Sequence, residues 1–162
     1  MPTVDWMVKS CLIIILLIIF WQDFKMRHIH VVLPFFIFIS SLYFIKPDFK
    51  IISLNLIFII VLFSTLTIYL SYKNKKIINP FKLHFGLGDL LFYLAIIPFF
   101  NLYNFILFFV LSMLFAILCQ KIFFKLISPT SIPLAGLSSI LLLLIILKDV
   151  FLSFESLTLI KL

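Results

Sequence analysis

The sequence predicts an all-α fold: a polytopic membrane helix bundle of about six transmembrane helices, in a single domain over residues 1–162. Three observations carry this expectation. Hydrophobic residues make up 65% of the chain and charged residues only 12%, whereas soluble domains run nearer half apolar and a quarter charged. The mean hydropathy of +1.33 leaves too little polar surface to coat a soluble core. The charges fall in short gaps between long apolar runs, with no shift in composition that would mark off a second unit.

Each span follows from these gaps. A helix needs about 20 residues to cross the hydrocarbon core. Residues 10–22 carry no charge, but that run is short, so the first span must reach from about residue 6 to residue 24. It could pass for a secretory signal, yet Trp21-Gln22-Asp23 stands where a small-residue cleavage site would be, so it is expected to remain as an anchor. The second span is placed at 31–45, between Arg27 and Lys46, and the third at 51–72, a charge-free run. The run 90–120 would be roughly 46 Å of helix, too long for one simple crossing. Pro98, Asn101 and Asn104 mark a turn inside it, dividing it into spans at 87–100 and 103–120. The fourth is short, and a re-entrant or interfacial segment is the alternative. The sixth is placed at 131–149, over the charge-free run 126–147.

The charge balance of +7 is read as topology, not as nucleic-acid binding, because the cations sit between spans. With six spans, Lys25, Arg27, Lys73, Lys75, Lys76, Lys82, Lys121 and Lys125 share one side with Asp23 and Asp89. Lys9, Lys46, Lys50, Lys148 and Lys161 share the other with Asp5, Asp48, Asp149 and Glu155. The first side is the more basic and is expected to be cytoplasmic, against anionic lipid headgroups, with both termini outside. Cys11 and Cys119 lie in apolar runs without metal-ligand spacing, so no metal or cofactor site is expected.

Two acids stand out. Asp23 closes the first span, and Asp89 opens the fourth inside Phe85-Gly86-Leu87-Gly88-Asp89, which holds two of the chain's three glycines. The spans run in opposite directions, so both carboxylates fall at the same face. Two carboxylates at one depth can divide acid–base work on a carbonyl, because like charges a few ångströms apart cannot both ionise cheaply. The plainer alternative is that Asp89 caps a helix and Asp23 pairs with Lys25 or Arg27.

At these residues the sequence resembles the type IV prepilin peptidases and preflagellin peptidases. Asp23-Phe24-Lys25-Met26-Arg27-His28-Ile29 is similar to their first aspartate motif, in which basic residues and an Ile-Pro pair follow the Asp. Gly86-Leu87-Gly88-Asp89 matches the GxGD motif, which also marks the wider class of intramembrane aspartyl proteases. Ile132-Pro133-Leu134-Ala135 resembles the Ile-Pro-bearing start of the last core helix. The resemblance implies a plasma-membrane aspartyl endopeptidase. Its partners would be the membrane lipids and prepilin- or pseudopilin-like substrates with a hydrophobic N-terminal helix, whose basic leader it removes at the cytoplasmic face. Asp23 and Asp89 are implied as the catalytic pair, with Gly86, Gly88, Lys25 and Pro133 in support.

The sequence departs from the family's pattern at His30 and Gly136, where proline is usual, and at Leu91, where lysine often stands. It has no CxxC and opens directly on the first span, so only the peptidase core is expected, without the methyltransferase activity of larger members. Competing readings are a small ion-coupled transporter using the same acids, or an inactive relative. Two further expectations concern the surroundings. The cluster Lys73, Lys75, Lys76 and Lys82 anchors topology, and Ser138 and Ser139 bond between helices.

Overall fold

A computed structural model describes residues 2–75, 86–122 and 133–151. Among them there is no strand, and six helices follow the six expected spans: α1 Pro2–Met26, α2 Val32–Ile45, α3 Phe49–Asn74, α4 Leu87–Ile96, α5 Leu102–Ile122 and α6 Leu134–Phe151. Lys76, Lys82, His84, Phe85 and Ile132 lie outside the described residues.

Among the described residues, three helices are long and apolar enough to cross a membrane: Met7–Met26 within α1, then α3 and α5. Val32–Tyr43 and Leu87–Phe99 are shorter apolar helices. The fourth span is short because α4 stops at Ile96 and passes into a 3-10 turn, Ile97–Phe99, that carries Pro98. Asn101 then starts α5: its side-chain oxygen accepts the Asn104 amide at 2.8 Å, and its carbonyl accepts that of Phe105 at 2.8 Å. The broken turn leaves two buried carbonyls, and Asn55 from the second turn of α3 serves both. Its Nδ2 donates to Ile97 O at 3.1 Å and Phe100 O at 2.8 Å. That bond pins α3 to the far end of α4.

α6 packs most extensively on α1 and then on α5, while α2 packs on α4 and α1. Phenylalanines fill much of the centre. Phe92, Phe99, Phe100, Phe105 and Phe108 are buried, with Phe100 stacked on Phe108 at 5.0 Å. Helices α1, α2 and α3 stop on basic residues in the left-handed region: Arg27 (φ 58°), Lys46 (φ 43°) and Lys75 (φ 51°). A cation there complements the carbonyl end of the helix dipole.

Candidate functional site

The site is built where α6 begins. The first turn of any helix leaves backbone N–H groups without intrahelical partners and carries positive partial charge. Pro133 precedes α6, has no N–H of its own, and accepts the Leu137 amide at 3.0 Å to open the helix. Among the first-turn amides that follow, those of Ala135 and Gly136 find their partners outside the helix. Ala135 N donates to Asp89 Oδ1 at 2.8 Å, and Gly136 N donates to Asp23 Oδ2 at 2.6 Å. Two consecutive amides thus hold two carboxylates from helices distant in sequence. Successive backbone nitrogens are about 3 Å apart, which keeps the two bound oxygens within about 8 Å of each other.

Each acid is further fixed by its own helix. Asp89 sits at the third position of α4, where its Oδ2 accepts the Gly86 amide at 3.2 Å, the carboxylate half of a capping box. Asp23 is 6% exposed, and its backbone carbonyl accepts the Arg27 amide at 3.2 Å where α1 ends.

The three glycines of the chain all lie at this place. A Cβ at Gly136 would stand 3.0 Å from Asp23 Cβ and 3.3 Å from the Phe20 carbonyl oxygen, so only glycine lets α1 approach α6 so closely. A Cβ at Gly86 would meet Asp89 Oδ2 at 3.0 Å, and one at Gly88 would meet the Ile29 side chain at 3.3 Å.

A second polar layer lies one turn deeper. Tyr93, four residues after Asp89, bonds through its hydroxyl to Ser112 Oγ at 2.6 Å and Ser138 Oγ at 3.0 Å. Ser139 Oγ lies 3.1 Å from Leu16 O and 2.7 Å from Gly136 O, tying α6 to α1. The expected bonding of Ser138 and Ser139 between helices is therefore present.

The remaining sequence-predicted residues are placed as follows. Lys25 is exposed, with its ammonium 4.8 Å above the Trp21 ring and not on a carboxylate. Trp21 and Lys25 near the end of α1, and Tyr69, Tyr72 and Lys73 near the end of α3, are all exposed, the aromatic and basic composition suited to a membrane boundary. Pro133 is buried immediately before the α6 turn that holds the carboxylates. His30 is exposed, with its amide 3.3 Å from Gln22 Oε1, and Leu91 is half-buried. Beside Asp89, α3 and α4 diverge around an apolar groove of about 600 Å³, lined by Leu56, Ile60, Phe63 and Thr67 on one wall and Leu90 and Leu94 on the other.

Sequence reasoning found both acids and their glycines but missed three contributors. Gly136 reads as a departure from a proline pattern, yet it supplies the donor to Asp23. Asn55 and Tyr93 sit inside charge-free runs and interrupt nothing. A polar side chain within an apolar run is the signal that could have found them.

No curated protein and no solved structure matches the chain. The profile of the type IV leader peptidase family matches residues 10–120, a stretch that holds both aspartates, all of α3 and α4, and the Gly86–Asp89 motif, and stops short of α6. Since that match runs over well more than half of the sequence, this membrane helix bundle belongs to the type IV leader peptidase family.

Proposed function

We propose that the protein is a membrane aspartyl endopeptidase that removes the basic leader from prepilin-like or preflagellin-like precursors at the cytoplasmic face of the plasma membrane. Family membership supports a leader peptidase in general. The observation that carries the finer reading is the pair of carboxylates on successive amides, Asp89 on Ala135 and Asp23 on Gly136.

The chemistry follows from the pair sharing one proton. The ionised carboxylate takes a proton from water as the water oxygen attacks the scissile carbonyl carbon. The protonated one gives its proton to the carbonyl oxygen. The tetrahedral species collapses as the C–N bond breaks: one of its two hydroxyls gives a proton to the ionised carboxylate while the leaving nitrogen takes the proton of the other carboxyl, which leaves the dyad again with one proton. The α6 amides contribute fixed donors that hold both carboxylates in place through these transfers. They also oppose the transporter reading. A helix N-terminus sets positive partial charge against both acids, the wrong sign for a cation site.

The substrate's apolar helix would lie in the groove between α3 and α4. That groove runs along residues 56–68 of α3, about 18 Å of helix, and its Leu90 wall adjoins Asp89. A helix seated there delivers its leader end to the dyad.

The test uses the full chain in lipid vesicles with a synthetic precursor, a short Lys/Arg-rich leader joined to about 20 apolar residues. Wild type is expected to cut it, and Asp23→Asn and Asp89→Asn each to leave it whole while still inserting. Cleavage at the wild-type rate by either variant would overturn the assignment.

A further inference from the structure

We infer that Tyr93 is a positioning residue for the dyad, its hydroxyl fixing the height of α6 against α4 and so the aim of the α6 amides at the carboxylates. This rests on the peptidase reading above for its kinetic consequence, but not for its structural one.

α6 is held between two neighbours by two rungs on each side. Toward α4 the rungs are Asp89–Ala135 and Tyr93–Ser138, four residues apart on one helix and three on the other. Toward α1 they are Asp23–Gly136 and Leu16–Ser139. On each side the upper rung carries a carboxylate and the lower one does not. The lower rungs therefore set the register that the upper ones need.

Proton accounting orders the Tyr93 rung. Ser112 Oγ donates to Phe109 O at 2.8 Å, so its one hydrogen is committed and it must accept from Tyr93. Tyr93, having donated to Ser112, accepts from Ser138. The chain of donors runs from α6 through α4 into α5 and ends on a backbone carbonyl. Tyr93, Ser112 and Ser138 are each fully buried, so loss of the middle hydroxyl strands a donor on Ser138 and an acceptor on Ser112 with no water to replace it. The ring itself is held independently, 4.9 Å from Phe109 and 5.8 Å from Phe92, so Tyr93→Phe keeps its packing.

The experiment compares Tyr93→Phe, Ser138→Ala, their double variant and a packing control, Phe108→Leu, in vesicles with the synthetic precursor. Misplacement of a reacting group by a fraction of an ångström to 1 Å is expected to lower kcat about 10- to 100-fold, with KM held within about twofold. Ser138→Ala is expected to match, and the double variant to add nothing, because both act through one rung. Phe108→Leu is expected to keep its kcat per folded molecule. Hydrogen exchange read by mass spectrometry at the start of α6 gives a measure without catalysis: about tenfold faster in Tyr93→Phe than in wild type, and unchanged in Phe108→Leu. Unchanged exchange, a wild-type kcat, a KM that rises in step, or losses that multiply in the double variant would each overturn the inference. A wild type that leaves the precursor whole would sink the peptidase reading, and the exchange comparison would then decide the Tyr93 role alone.

Discussion

Helices α3 and α6 are alike in composition and opposite in use. α3 has 26 residues, of which Asn55, Ile59 and Phe63 are the buried ones, while Leu56, Ile57, Ile60, Val61 and Ile68 are exposed. In α6 and the proline before it, residues 133–139 are all buried, and four of them make hydrogen bonds to other helices. Hydropathy cannot tell the two apart, because lipid and protein interior are equally apolar solvents. What separates them is small and polar residues. α3 has one buried side-chain amide in its second turn, whereas α6 opens with a glycine and two serines that admit close neighbours and bond to them.

That contrast can be broken in graded steps. The largest effect is expected at the α6 start. Gly136→Ala keeps the amide but forces α1 away from it, and cleavage of the synthetic precursor should fall about a hundredfold, measured as kcat/KM on folded protein. In the second turn of α3, Asn55→Leu strands the Ile97 and Phe100 carbonyls, and should cost about 2–4 kcal/mol in reversible unfolding from detergent micelles. Gly88→Ala is smaller, since the Ile29 side chain need give only a few tenths of an ångström; about 1 kcal/mol is expected, with cleavage reduced but present. Smallest is Ile60→Ala on the lipid-facing wall of α3, at under about 0.5 kcal/mol in the same unfolding measurement. A cost at Ile60 equal to that at Asn55 would mean that α3 is covered by protein on that face.

The same contrast explains what the sequence discloses. A membrane demands unbroken apolar runs, so charges place α3 at 51–72 against the observed Phe49–Asn74 and end α5 at 120 against the observed Ile122. Pro98 and the Asn101 cap divide a run too long for one crossing. Asp23 and Asp89 are legible because acids next to hydrocarbon are costly and need a reason. Their partner is not legible, because it is backbone. No side chain announces that the Ala135 and Gly136 amides point at carboxylates, and the one residue that makes room for them reads as a mismatch to a proline pattern. Lys25 shows the converse: adjacency to Asp23 in sequence suggests a supporting cation, but the helix turns it outward onto Trp21.

Glycine is scarce here, and where it is placed has a consequence where the helices stop. With Gly86, Gly88 and Gly136 all committed around the acids, none is left to finish α1, α2 or α3, whose last turns close through Arg27, Lys46 and Lys75 in a backbone shape that side chains resist. The glycines go to the carboxylate cradle, and the helix ends carry the strain instead. Lys46→Gly is therefore a repair site: it should raise the melting temperature and leave turnover untouched.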